Sequence, residues 1–214
     1  KKIIIFTNND SAYGVSIALA NAGASVKLLD ARTTLPSKLS HTAKGHGVDL
    51  RASAAALNAS GSKSVSGLEI ATLNEAAWVQ GGSEDCDLVL ISGGWSPIIN
   101  LLSHRGLKPL WDDENCCFMP SSTDEHIEIA GAGIGIWELS KCEVSGEVAA
   151  AAAAKALGKT TKNVKKPSSN GWSEKIRPLY EVKIHGKGQK SFVDPQNDVT
   201  ANDIKLAHQE GFIS

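Results

Sequence analysis

The hydrophobic pattern of the first 32 residues predicts a strand, a helix and a second strand. Residues 3–6 form an unbroken apolar run, which is typical of a strand covered on both faces. Apolar residues then recur at helical spacing over positions 12–22, and Gly23 stands where a helix would end. Residues 26–30 are a second apolar run that ends in an acid. This order predicts the βαβ unit of a dinucleotide-binding fold.

A block of further strands follows a short helix predicted at residues 37–43. Small and β-branched residues flank a polar turn at residues 58–62, which predicts a hairpin, and residues 77–80 predict a third strand. Residues 88–92 predict a buried strand. A three-stranded meander beside a parallel sheet is typical of flavoproteins with two dinucleotide domains. The predicted fold class is therefore α/β: a Rossmann-like nucleotide-binding domain of the two-dinucleotide-domain flavoprotein type, with an inserted β-meander and a small C-terminal α/β extension.

The second half of the chain predicts another strand, turn and helix. Residues 98–104 predict a helix and residues 107–111 a short strand. Residues 126–130 then predict a strand that enters a glycine-rich turn at residues 131–137. Residues 144–157, which include six consecutive alanines, predict a helix that can pack closely on a sheet.

The last part of the chain predicts a linker and then a small α/β unit. Residues 159–171 have no apolar periodicity, which is typical of a linker or a surface loop. Residues 191–194 predict a short strand. Thr200 and Asp203 form a capping-box pattern ahead of a helix predicted at residues 203–210.

Composition and charge narrow the classes of function. The 214 residues carry a net charge of −1, which gives no reason to expect nucleic acid or an acidic membrane as a partner. No apolar run reaches the length of about 18 residues that a membrane span needs. The four cysteines lack C-x-x-C spacing, which predicts free thiols, no metal site and a cytoplasmic location. Because the chain enters a strand at once and lacks a start Met, we expect a piece of a longer protein.

The turn after the first strand is the first candidate cofactor site, and its residues depart from the expected pattern. A phosphate-binding turn carries G-x-G-x-x-G so that backbone amides can approach the pyrophosphate. Asn8 and Asn9 add bulk here, and Asp10 adds a negative charge beside the expected anion or caps the helix instead. Asp30 would bind the adenosine ribose of NAD, or it would pair with Arg32. We predict a degenerate site with Asn8, Asp10 and Asp30 as its candidate contacts.

Residues 131–135 are the second candidate site. They read G-x-G-x-G, and a glycine-rich turn after a strand can pass close to a cofactor. Gly131, Ala132, Gly133 and Ile134 are therefore candidate cofactor contacts, although the acid expected after such a strand in flavin domains is absent. The sequence contains no G-x-S-x-G, P-loop or H-E-x-x-H motif, so no catalytic residue is predicted.

Five segments of the chain resemble a single family. They are residues 5–13, 29–32, 92–97 and 130–132 and, most specifically, the stretch FVDPQNDVTANDI at residues 192–204. Together they resemble the α subunit of heterotetrameric sarcosine oxidase, and the chain is interpreted as a central fragment of such a subunit. Pro195 departs from the family pattern, since we expect a bulkier apolar residue at this position.

The resemblance implies a division of the chain and a set of cofactors. Residues 1–92 would be a second, degenerate NAD-binding-like domain, and residues 93–158 the return segment of a first FAD/NAD-type domain. Residues 159–175 would be a linker, and residues 176–214 the start of a small C-terminal domain. The resemblance implies that NAD is held by a part of the subunit outside this chain, with Gly131–Ile134 nearby. It also implies FAD in a β subunit and FMN at the α/β interface.

The resemblance further implies a heterotetramer with β-, γ- and δ-type subunits. Such a complex would oxidise sarcosine to glycine, reduce O2 to H2O2 and pass the methyl carbon to tetrahydrofolate. Little of that chemistry is expected within this chain, which would act as a nucleotide-domain scaffold and subunit contact. Two other hypotheses stay open: a free-standing NAD-dependent oxidoreductase domain that uses Asp30, and a non-catalytic interaction module with a nucleotide-binding fold.

Overall fold

The fold is built on a parallel sheet that begins at the N-terminus. The computed structural model describes residues 1–121, 127–167, 175–179, 181–184 and 191–212. Its helices are α1 (Ser11–Asn21), α2 (Ser37–Gly45), α3 (Asn100–Ser103), α4 (Leu139–Ala156) and α5 (Ala201–Gln209). Its strands are β1 (Lys2–Thr7), β2 (Ser25–Asp30), β3 (Asp49–Ala52), β4 (Ala54–Gly61), β5 (Val65–Asn74), β6 (Ala77–Asp85), β7 (Leu88–Ser92), β8 (Pro109–Asp112), β9 (Cys117–Pro120), β10 (Phe192–Asp194) and β11 (Val199–Thr200).

Strand β1 lies inside the four-stranded parallel sheet, whose order is β3-β2-β1-β7. Its successive side chains face different layers because a strand alternates between the two faces of its sheet. Ile3 and Ile5 pack in a cluster with Tyr13 of α1. Ile4 packs on the other face with Leu68 of β5. The prediction of a first strand buried on both faces is confirmed, as are the helix and the second strand that follow it.

Strands β4, β5 and β6 form the predicted antiparallel meander, which packs on the Ile4 face of the parallel sheet. The predicted polar turn at residues 58–62 is wrong. Residues 58–61 instead continue β4 and pair with β5, and the chain reverses after Gly61, whose φ is 138°. A side chain at Gly61 would collide with the Ser64 carbonyl, so this position requires glycine. Ser53, with a φ of 52°, separates β4 from β3, which joins the parallel sheet.

Strand β7 differs from the buried strand that its apolar sequence predicts. It pairs with β1, yet the Ile91 side chain is 71% exposed and Leu88 is 41% exposed. In the described part of the chain β7 is an edge strand of the parallel sheet, next to β1. Its side chains therefore lack the neighbours that bury β1.

The elements beyond β7 follow the prediction only in part. Helix α3 spans four residues instead of the predicted 98–104, and a short β8–β9 hairpin replaces the isolated strand predicted at 107–111. The described part of the strand predicted at 126–130, residues 127–130, forms no strand, since no described strand pairs with it. His126 lies outside the described residues. A one-turn 3-10 helix at Gly131–Ile134 then leads to α4.

The C-terminal part, as described, contains the β10–β11 hairpin and α5. The predicted capping box is confirmed: the Asp203 amide donates to Thr200 Oγ1 at 3.3 Å, and the Thr200 amide donates to Asp203 Oδ2 at 2.7 Å. Residues 159–167 have no regular secondary structure, whereas residues 168–174 of the predicted linker lie outside the described residues. Among the described helices, none is long and apolar enough to cross a membrane.

Candidate functional site

The candidate site lies at the carboxyl ends of β1, β2 and β7. Open parallel sheets bind ligands outside the carboxyl ends of their strands, at the point where the strand order reverses. Helix α1 leads from β1 to β2, while β7 pairs with β1 on the opposite side. Thr7 therefore stands opposite both Asp30 and Ser92 in the strand register. We call the space beyond these three residues the nucleotide crevice.

Asn9 fills the position between β1 and β7 where a pyrophosphate would approach. Its side chain is fully buried. The side-chain amide donates to the Ser92 carbonyl at 3.1 Å, and its oxygen accepts from the Ser11 amide at 2.9 Å. The Ser11 hydroxyl also lies 2.8 Å from the Ser92 hydroxyl. The Ser11 amide, a donor that a phosphate at the start of α1 would use, is thus engaged within the protein.

Asp30, the acid that would bind a ribose in a working site, is fully buried and pairs inside the chain. Its Oδ2 accepts from the Tyr13 hydroxyl and from Arg32 Nη2, each at 2.8 Å. Its Oδ1 accepts from the Arg32 amide at 2.9 Å and from Arg32 Nε at 3.0 Å. A carboxylate offers about four lone-pair sites, and these four donors occupy them. The pairing with Arg32, one of the two alternatives from the sequence, is present.

Asp10 completes a buried ion triad with Arg32 and Asp30. Its Oδ1 accepts from Arg32 Nη1 at 2.8 Å, and the side chains of Arg32 and Asp10 are only 4% and 7% exposed. Asp10 stands at the N-cap of α1, but its side chain makes no capping hydrogen bond. The expectation that Asp10 caps the helix is therefore wrong, because its carboxylate is drawn to Arg32, and the Asn9 side chain accepts from the first helical amide instead.

Tyr13 is a residue of this site to which the sequence patterns assign no role. When G-x-G-x-x-G is set to begin directly after β1, its three glycine positions fall on Asn8, Asp10 and Tyr13. The third glycine normally allows close packing of helix on strand. Tyr13 is instead fully buried and reaches Asp30. The spacing of these three residues is the signal that could have found it.

The pKa values of the site reflect burial and paired charge. Burial raises the pKa of the Tyr13 phenol far above its usual 10.0, and the charge of Asp30 and the hydrogen bond to it act in the same direction. Burial alone would lower the pKa of the Arg32 guanidinium. Its hydrogen bonds and attraction to Asp30 and Asp10 outweigh this, so the pKa of Arg32 is raised. Arg32 therefore keeps its charge, and Tyr13 keeps its proton.

The other predicted contacts occupy two further environments. The Asn8 side chain is buried and donates to the Arg177 carbonyl, far along the chain. Gly131 has a φ of 60°, and its amide donates to Ser145 Oγ of α4 at 2.7 Å. A Cβ at Gly133 would lie 2.7 Å from Ile129 Cγ2. Packing and backbone conformation thus account for both glycines.

A hollow of about 260 Å³ adjoins the Gly131–Ile134 turn. Its lining is mainly apolar and includes Ile129, Ile136 and Val148. The structure does not bring this turn together with Asn8, Asp10 or Asp30 through any described hydrogen bond or ion pair. In the described part of the chain no group of histidine, cysteine and acidic side chains could hold a metal ion. The four cysteines are free, as predicted.

The fold matches that of a class of solved structures, the flavoprotein reductases. The flavoprotein disulfide reductase RclA of Escherichia coli, as its Cu(II) complex, superposes with a TM-score of 0.50 at 15% identity and covers 74% of this chain and 36% of its own. LpdA of Mycobacterium tuberculosis superposes with a TM-score of 0.51 at 14% identity, over 77% of this chain and 36% of its own. At this identity the likeness shows the fold, and the predicted fold class is confirmed.

Two curated proteins similar in sequence to the chain are subunits of one kind. The sarcosine oxidase subunit alpha of Rhizobium meliloti is 31% identical over 97% of the chain and 20% of its own length. That of Corynebacterium sp. strain P-1 is 28% identical over the whole chain and 23% of its own length. No family model matches the chain. The predicted resemblance to the sarcosine oxidase α subunit is therefore confirmed, and the chain spans about a fifth of the length of these relatives.

The ion triad predicts a large loss of stability on replacement of its cation. Arg32→Met should lower the free energy of unfolding by about 3–5 kcal/mol, because two carboxylates stay buried without their counter-charge. Lys141→Met is the matched control, since it removes a cation from a more exposed pair with Glu138, and it should leave the urea midpoint nearly unchanged. Equal midpoints for both variants would contradict a stabilising triad.

The raised pKa of Tyr13 predicts a loss of stability in alkali. The folded chain keeps this proton after an unfolded tyrosine has lost it, so the contribution is complete below about pH 10 and declines above it, by up to about 1.4 kcal/mol per pH unit. Tyr13→Phe should make the free energy of unfolding fall less steeply over that range. Urea unfolding of both proteins at a series of pH values measures the slopes, and parallel curves would exclude Tyr13 as the source.

Proposed function

We propose that this chain acts as a nucleotide-domain scaffold and subunit contact within a sarcosine oxidase α subunit. The observation that carries the proposal is the similarity to proteins of that name, which extends over 97–100% of the chain. The flavoprotein reductase fold supports the same general oxidoreductase context. The division into residues 1–92, 93–158, 159–175 and 176–214 belongs to this proposal.

In this proposal the unit formed by residues 1–92 binds no NAD of its own. Three contacts support this: Asn9 occupies the pyrophosphate position, Asp30 has its acceptor sites filled, and Asp10 places a carboxylate where a phosphate would bind. The same contacts count against a free-standing NAD-dependent oxidoreductase that uses Asp30. They fit the third hypothesis, an interaction module with a nucleotide-binding fold, and that role is the part we assign to residues 1–92 within the larger subunit.

The cofactors of the complex belong to other parts of the assembly in this proposal. NAD is bound by the full α subunit, and Gly131, Ala132, Gly133 and Ile134 lie near it at the start of the turn into α4. FAD and FMN serve the oxidation of sarcosine to glycine with O2 as acceptor and H2O2 as product. Tetrahydrofolate takes the methyl carbon. The β-, γ- and δ-type subunits are the partners, the complex is cytoplasmic, and this chain supplies no catalytic residue.

A titration with NAD tests the closed crevice. Calorimetry of the 214-residue chain should give no heat of binding, because the sites for pyrophosphate and ribose are occupied by the chain itself. The Asp30→Asn variant should also give no heat of binding, and circular dichroism should show that it is folded. Binding by the unaltered chain that Asp30→Asn abolishes would support the free-standing oxidoreductase instead.

Purification of the parent protein tests the assembly. A tagged full-length parent chain expressed in its own cells should copurify with three other subunits and with bound flavin, detected by its absorbance. The same parent chain expressed alone is the control and should lack the flavin held by a β-type subunit. A parent chain that purifies from its own cells as a single polypeptide would contradict the proposed complex.

A further inference from the structure

Ile176 and Arg177, far along the chain from the N-terminal sheet, lie across the nucleotide crevice. The Ile176 side chain is only 6% exposed, whereas Lys175 and Pro178 are exposed. Ile176 Cδ1 lies 3.9 Å from the position of a Cβ on Gly94, just beyond the end of β7. Arg177 contacts residues that follow β1 and β2. The segment therefore passes the ends of β7, β1 and β2 in turn, which is the path of a dinucleotide across such a sheet.

Asn8 recognises the backbone of this segment. The Arg177 amide donates to the Asn8 carbonyl at 3.2 Å, and the Asn8 side-chain amide donates to the Arg177 carbonyl at 2.9 Å. Both polar groups of the Arg177 backbone are thus satisfied by one residue of the turn after β1. Pro178 restricts Arg177 to an extended conformation, which is the form that such paired contacts require. This arrangement is how grooves bind an extended peptide by its main chain.

The Arg177 side chain has a receptor of its own in the crevice. Its Nη1 donates to the Ala31 carbonyl, directly after β2, at 2.8 Å. Its Cζ lies 5.6 Å from the ring centroid of Trp78 in β6, within the range of a cation–π contact. A carbonyl and an aromatic face suit a guanidinium and give no positive partner to a phosphate. The groups at the adenosine end of the crevice therefore suit the side chain of an arginine.

We propose that the nucleotide crevice has become a peptide-binding groove, formed by Asn8, Ala31 and Trp78, and that its ligand is the chain's own Ile176–Arg177 segment. The main-chain contacts with Asn8 hold the segment, and the Ala31 carbonyl with the Trp78 ring selects the arginine. Arg177 takes the adenosine end of the crevice and Ile176 lies at the end of β7, while the Asn9 side chain fills the pyrophosphate position. This inference rests on contacts within the chain and does not depend on which complex the chain joins.

Hydrogen exchange tests whether the segment is bound as a unit. In Arg177→Met the amide of residue 177 should exchange about tenfold faster, because the charged hydrogen bond to Ala31 and the contact with Trp78 are lost. Trp78→Leu should act in the same direction from the groove side. Lys175→Met is the matched control, since Lys175 is exposed and its ion pair is with the exposed Glu114; it should not change the rate. Amides of β1 report that each variant remains folded, and an unchanged rate in Arg177→Met would count against the groove.

A peptide added in solution tests the groove itself. The capped peptide Lys-Ile-Arg-Pro-Leu should shift the NMR signals of Asn8 and Trp78 in the Ile176→Ser/Arg177→Met variant. It should leave the unaltered chain unchanged, where the tethered segment is present at high effective concentration. A peptide with Met in place of Arg should bind more weakly. The proposal is overturned if the Arg peptide shifts neither signal in the opened variant, if it acts equally on the unaltered chain, or if ADP binds the opened variant and the peptide does not.

Discussion

The buried ion triad of Asp10, Arg32 and Asp30 is the interaction on which the arrangement of the crevice depends. Charges that are almost fully removed from water are tolerated only when each has a partner. Arg32 meets this need for the turn after β1 and for the end of β2 at once, and Tyr13 adds a hydroxyl from α1. The guanidinium joins the turn after β1 to the end of β2, and the Tyr13 hydroxyl joins α1 to the same carboxylate.

The crevice illustrates how a fold can persist after the contacts of its usual site have been replaced. The parallel sheet, the crossover helix and the meander remain those of a flavoprotein reductase. The glycine positions carry Asn8, Asp10 and Tyr13, and each side chain makes a contact that a ligand would otherwise supply. In the proposed role of residues 1–92, these internal contacts take the place of those that a nucleotide would make.

The fold could be predicted from local patterns, whereas the closure of the crevice could be predicted only in part. The apolar run of β1, the helical spacing of α1 and the meander are encoded by short periodicities. The absence of glycine at residues 8 and 10 predicted an altered turn, and Asn8 and Asp10 make contacts within the chain there. The role of Arg177 could not be predicted, because its partners Ala31 and Asn8 lie 146 and 169 positions earlier in the chain. The burial of β7 was overestimated for a related reason: an apolar strand does not encode what lies beside it, and Ile91 is largely exposed.

The position of Arg177 along the chain has a consequence for synthesis on the ribosome. A chain grows from its N-terminus, and domains generally begin to fold as they emerge. The described strands of the parallel sheet and the meander are complete by Ser92, some 85 residues before Arg177 is added. When the sheet folds as it emerges, its carboxyl-terminal edge is therefore formed well before the residues that lie across it are made.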